Sequence, residues 1–180
     1  LTALLHDIGK PYVWQNIDGK DEFPQHEVVS TELAEHILER MRYDNKTIAQ
    51  VKRLIAEHTR GLLPKPYLMR RAVADLGVDG VRQLIAIKRA DIQAHNEILE
   101  KDPLTIFDDM ERELDRILEQ RECCSLKQLA VTGKEVIALG AKGRSVGDIL
   151  DALLELVLKY PEQNEKTYLL AQAEKMVNEA

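Results

Sequence analysis

The chain is divided by six prolines, and between them its apolar residues return every three or four positions, with no run that alternates. Pro11, Pro24, Pro64, Pro66, Pro103 and Pro161 all fall outside these periodic segments or in their first turn. A proline ring lacks an N–H and clashes with the preceding helical turn, so each one marks a boundary. Leu33, Ile37 and Met41 keep a four-residue step, as do Ile48, Val51 and Ile55, and Leu84 and Ile87 with their neighbours. The pattern predicts an all-α chain of about seven or eight helices and no strand. Boundary residues point the same way: Asn45 before a Lys46–His58 helix, Asp102 before Pro103, capping boxes at Thr132–Glu135 and Ser145–Asp148, and Asn164 opening the last helix. The Tyr12–Pro24 stretch is the one long irregular segment of the first half, and a loop of that kind borders many sites.

At 180 residues the chain holds one domain with a small appendage. We read residues 1–100 as a helical bundle and 101–180 as a connecting helix and a helical tail. Aromatics make up only 4 %, which argues against a sheet that stacks RNA bases on Phe and Tyr. No apolar run approaches the ~20 residues that cross a bilayer, and no secretory signal is visible, so no membrane partner is expected. Cys123 and Cys124 are adjacent and too few for a disulfide framework, which suits a reducing cytoplasm. Leu1–Leu5 has no initiator Met and reads as the interior of an apolar helix, so the chain is expected to be part of a longer protein.

Charge is uneven. The net charge is −6, yet Leu38–Arg71 holds nine basic residues, among them Lys52, Arg53, Arg70 and Arg71, against three acidic ones. That stretch reads either as a surface facing a polyanion or as a solvated helix face. Further on, Gly140-Ala-Lys142-Gly143-Arg144-Ser145 runs into a helix start, where free amides with Lys142 and Arg144 make either a phosphate contact or a plain turn.

The chemistry concentrates in five residues. His6-Asp7 ends an apolar helix and is followed by Ile8-Gly9-Lys10. An imidazole nitrogen beside a carboxylate suits Mn, Fe, Ni or Zn and, with more oxygen ligands, Mg. Lys10 offers a point charge to a phosphate, the one catalytic role assigned. His26 follows the irregular loop, His58 ends a helix, and Asp91 interrupts an apolar run where a carboxylate needs a partner. A shared cation would partner all five. The alternative for His6 and His58 is a side chain settled on a helix C-terminal dipole, and Asp91 could pair with Arg89 or His95.

In this order, His6-Asp7-Ile8-Gly9-Lys10, Phe23-Pro24-Gln25-His26, Glu57-His58 and Ala90-Asp91 resemble the HD-domain metal-dependent phosphohydrolases. The resemblance implies an all-α HD-type bundle, ligation of a divalent metal by His6, Asp7, His26, His58 and Asp91, and hydrolysis of phosphate esters. The family's first histidine lies upstream of its His-Asp pair and has no counterpart here. A narrower likeness rests on Phe23-x-x-His26-x-x-x-Ser30, on Leu38–Asn45, and on the tail segments Val131–Gly140, Gly143–Leu150 and Asn164-Glu-Lys. Those look like bacterial tRNA nucleotidyltransferases (CCA-adding enzymes) and their poly(A) polymerase relatives. That likeness implies tRNA as a partner, a hydrolase acting on 2′,3′-cyclic phosphates, and a missing N-terminal nucleotidyltransferase head that carries the polymerising chemistry. The basic residues 52, 53, 70, 71, 142 and 144 would then contact RNA.

Overall fold

A computed structural model describes residues 1–95 and 105–179. The helices are α1 (Thr2–Leu5), α2 (Lys10–Val13), α3 (His26–Arg40), α4 (Asn45–Glu57), α5 (Pro66–His95), α6 (Thr105–Glu119), α7 (Gly133–Ala138), α8 (Arg144–Lys159) and α9 (Lys166–Glu179). The all-α expectation holds, with one exception. Within the stretch read as irregular, β1 (Gln15–Ile17) and β2 (Lys20–Glu22) pair antiparallel, Ile17 opposite Lys20. Their turn is Asp18-Gly19, both at positive φ (52° and 80°), the pairing that a two-residue hairpin turn requires. No described helix is long and apolar enough to cross a membrane.

The described chain divides into two compact units: Leu1–Gly61 with Asp79–Phe107, and Leu62–Val78 with Asp108–Ala180. α5 contributes to both, and at Gly77 its backbone leaves helical geometry (φ 73°, ψ 167°), a conformation that suits glycine.

In the first unit the core is Leu5, Ala34, Leu38, Ile48, Val51 and Ile55. α4 buries Ile48, Val51, Leu54 and Ile55, the stripe expected from sequence. On α3 the expected stripe is displaced by one residue. Ser30, Ala34 and Leu38 are buried, whereas Met41 is 58 % exposed. At Ser30 the side chain is small where the backbone of Gly9 lies against the helix. A Cβ on Gly9 would sit 2.6 Å from the His26 carbonyl oxygen and 2.6 Å from the Ser30 nitrogen. The Gly9 N–H donates to Ser30 Oγ at 2.9 Å, which partners the hydroxyl of a fully buried serine. The cap of α4 is Asp44, one residue before the expected Asn45; its carboxylate accepts from Thr47 N at 3.0 Å.

In the second unit, Leu129, Val131 and Val136 pack with Ile149, Leu153 and Val157 of α8 and with Leu169 and Ala173 of α9. The capping box at α7 forms, with Glu135 accepting from Thr132 N at 2.8 Å. The box expected at Ser145 does not form. Gly143 caps α8, and Ser145 sits inside the first turn, where its Oγ accepts from Lys142 N. Asn164 lies two residues before α9 and clamps another turn instead, accepting from Ala130 N and donating to Gln128 O, both at 2.9 Å. The Asp102 cap and Pro103 lie outside the described residues.

Arg70 is 4 % exposed. Its Nε donates to Leu158 O at 2.7 Å and its Nη1 to Glu122 at 2.8 Å, and Arg116 also reaches Glu122, at 2.7 Å. Burial pushes the Glu122 carboxyl up, but these two guanidinium groups outweigh it and hold the group below its ordinary 4.5.

Two outcomes follow from this packing. Gly9→Ala should destabilise the first unit by about 1–3 kcal/mol, since a methyl there meets backbone that cannot step aside; thermal or urea unfolding reads it. A depressed Glu122 contributes stability that is complete above its ordinary 4.5 and is lost as pH falls below it. Melting scans from about pH 6 down to about pH 3 should therefore show a steeper acid loss in the unaltered protein than in Glu122→Gln, which has no proton to take up.

Candidate metal centre

Every residue of the expected ligand set belongs to the first unit. His6 and Asp7 follow α1 directly, His26 opens α3, His58 closes α4 as its C-cap, and Asp91 lies in the last part of α5. The fold brings all five together, with Asp7 at the middle. Asp7 Oδ1 lies 3.3 Å from His26 Nε2 and 3.6 Å from His58 Nε2, while Oδ2 lies 3.3 Å from His6 Nε2. Asp91 Oδ1 approaches His6 Nε2 to 3.4 Å, and the His26 and His58 Nε2 atoms are 3.0 Å apart.

All three imidazoles are oriented in the same way. Each Nδ1 faces the carbonyl three residues earlier: His6 with Ala3 O at 2.9 Å, His26 with Phe23 O at 2.8 Å, and His58 with Ile55 O at 2.6 Å. A carbonyl oxygen only accepts, so each Nδ1 carries a proton and each ring turns its Nε2 inward. The His26 and His58 Nε2 atoms, 3.0 Å apart, need a proton or another electron-poor species between them. His6 Nε2 and Asp7 Oδ1 are buried and make no hydrogen bond; their close approaches lack hydrogen-bond geometry. Buried acceptors without donors are costly, and a cation supplies what they lack. One ligand atom from each of His6, Asp7 and His58 lies within 4.8 Å of the others, a span that suits a single ion. The donor set of imidazole nitrogen and carboxylate oxygen thus fits a divalent metal.

Charge is tuned to match. Burial pushes the Asp7 carboxyl up, but the hydrogen bond from Lys10 Nζ, at 2.5 Å, with the adjacent imidazole and ammonium charges, outweighs it and holds the group below the usual carboxylate range. Burial lowers His58 below the ordinary 6.5, which keeps it neutral and able to ligate. Lys10 is divided between Asp7 and the Phe23 ring, its Nζ 5.5 Å from the ring centroid. It therefore orients a ligand, a task the sequence reading had not given it.

The basic residues are scattered by comparison. Lys52 pairs with Glu35, and Arg53 is exposed on α4. Arg71 pairs with Asp75 and Glu155. Arg70 is a correction: its charge is buried in the ion pair with Glu122 and offers nothing to a polyanion. Lys142 and Arg144 are exposed at the start of α8, Arg144 3.8 Å from Asp148.

Sequence reasoning missed Lys88, whose Nζ donates to the His58 carbonyl at 2.6 Å. Its signal was its place three residues before Asp91, on the same face of α5. The Gly9–Ser30 contact was missed as well, since neither residue carries an apolar signal.

Comparison with known families matches residues 1–112 to the HD domain. No curated protein and no solved structure gives a significant match, and nothing in these comparisons links the chain to the tRNA nucleotidyltransferases. With the family matched over more than half its length, and with a His-Asp pair ringed by histidines at the centre of its first unit, the chain belongs to the HD-domain family.

Proposed function

We propose that the first unit is a metal-dependent phosphohydrolase. The observation that carries this reading is the set of inward-facing Nε2 atoms gathered around Asp7, with His6 Nε2 and Asp7 Oδ1 buried and without a hydrogen-bond partner. His6, Asp7, His58 and Asp91 would hold the cation; a divalent ion there (Mg, Mn, Ni or Fe) polarises a phosphate ester and acidifies a bound water. The residues themselves do the rest. The three rings present their Nε2 atoms to the cation, and the Lys10 hydrogen bond favours an ionised Asp7. The Lys10 ammonium, with its side chain 32 % exposed, stands beside the ligands where phosphate charge builds up. His26 faces Asp7 Oδ1 and His58, placed for a second cation or for a phosphate oxygen.

The finer reading comes from the resemblance in the tail: the substrate is a 2′,3′-cyclic phosphate or phosphate ester on RNA, in a protein of the tRNA nucleotidyltransferase type whose head lies outside these 180 residues. The exposed Lys142 and Arg144 at the start of α8 support an RNA contact, and the formed capping box at Thr132 is consistent with that tail motif.

His6→Ala, Asp7→Ala and His58→Ala should each lose bound Mn and lower kcat/KM on a 2′,3′-cyclic nucleotide by about 100-fold or more, read by metal analysis and product chromatography. An unaltered protein that holds no metal and cleaves no phosphate ester would leave a catalytically silent RNA-holding arm as the better description. A double Lys142→Ala, Arg144→Ala variant should bind tRNA more weakly at low salt, with a salt dependence shallower by roughly one to two ions. Equal binding by the two proteins would remove the tail from the interface.

A further inference from the structure

The His58 residue is fixed at three points. Its backbone N–H and its ring Nδ1–H both donate to Ile55 O, at 3.3 and 2.6 Å. Its own carbonyl accepts from Lys88 Nζ at 2.6 Å. The first two bonds are internal to the last turn of α4 and come with the helix. The third comes from α5, three residues before Asp91, and ties the ligand-bearing end of α4 to α5, which a Gln50–Gln83 hydrogen bond at 2.8 Å also joins further along.

We propose that Lys88 is a positioning residue for the metal centre, holding the end of α4 so that His58 and Asp91 face the same cation; this rests on the phosphohydrolase reading above. The chemistry suits lysine. The last carbonyls of a helix lack internal partners and form the negative end of its dipole, so a cationic donor there satisfies an acceptor and gains from the field. The Lys88 side chain is half-buried, its ammonium committed to the His58 carbonyl oxygen. Burial lowers its pKa, and the charge of Asp91 opposes that, so the same carboxylate that faces His6 helps keep the ammonium protonated. Lys10 holds Asp7 and Lys88 holds His58: each orients a ligand from outside the ligand set.

The test uses the full chain and Mn alone as probe. Lys88→Met keeps the length and removes the donor; Lys88→Arg keeps donor and charge. Titration calorimetry should show Mn affinity falling about 10–100-fold in Lys88→Met and staying within about threefold of the unaltered protein in Lys88→Arg. Equal affinity in Lys88→Met would overturn the proposal, and so would an equal loss in Lys88→Arg, which would make side-chain packing the cause. Hydrogen exchange at amides 56–58 gives a readout that needs no metal: faster in Lys88→Met and restored in Lys88→Arg if the clamp exists, unchanged in both if it does not. Should the unaltered protein bind no Mn, the phosphohydrolase reading falls, and the exchange result alone decides whether Lys88 holds His58. If Lys88→Met does not fold, Lys88→Gln replaces it, with the same expected loss because its amide is too short to reach the carbonyl.

Discussion

The first unit is organised around an electrostatic problem placed at its centre. A carboxylate, Asp7, is surrounded by three imidazoles whose inner nitrogens all face it, and two of those nitrogens stand 3.0 Å apart. Such a group of acceptors is unfavourable unless a positive species shares it. Folding brings it together nonetheless, because every ring is tied by its outer nitrogen to the carbonyl three residues back, and because Leu5, Ala34, Leu38, Val51 and Ile55 bury apolar surface in the core of the same unit. The packing of α3 and α4 thus offsets the cost of gathering the acceptors, and lysines supply the outer support.

Much of this was legible in the sequence, where chemistry and periodicity agreed. Pro66 opens α5 and Pro161 opens a 3-10 turn, the Ile48–Val51–Ile55 stripe faces inward, and the five ligand candidates converge. What escaped had a common cause: interactions made by small or backbone groups leave little trace in residue type. The buried face of α3 carries Ser30 and Ala34 beside Leu38, with the Gly9 backbone against Ser30, and small residues of that kind give no apolar stripe. The Asp18-Gly19 hairpin turn carries a two-residue signal inside a segment too polar and short to read as strands. Asn164 looked like a helix cap because asparagine often is one, yet its amide bonds a turn more than thirty positions earlier.

The basic stretch shows how composition can mislead at close range. Nine cations in Leu38–Arg71 read either as one surface facing a polyanion or as a solvated helix face, and the fold uses four of them separately. Arg70 closes a buried network in the second unit with Glu122 and the Leu158 carbonyl, and Lys52 and Arg71 pair with acids, while Arg53 is exposed. A charge count along the chain cannot separate these fates, because the partners of Arg70 lie 52 and 88 positions away. The HD-domain assignment, by contrast, rests on residues whose roles are visible in one place.

The bonds from each imidazole to the carbonyl three residues back have a thermodynamic consequence. A histidine free to rotate would have to be frozen when an ion arrived, and that ordering would subtract from the affinity. Here the rotor freedom of all three rings is surrendered during folding, against hydrogen bonds that each span three residues of chain. A cation bound there would meet nitrogen atoms already aimed, and its affinity would carry little of that ordering cost.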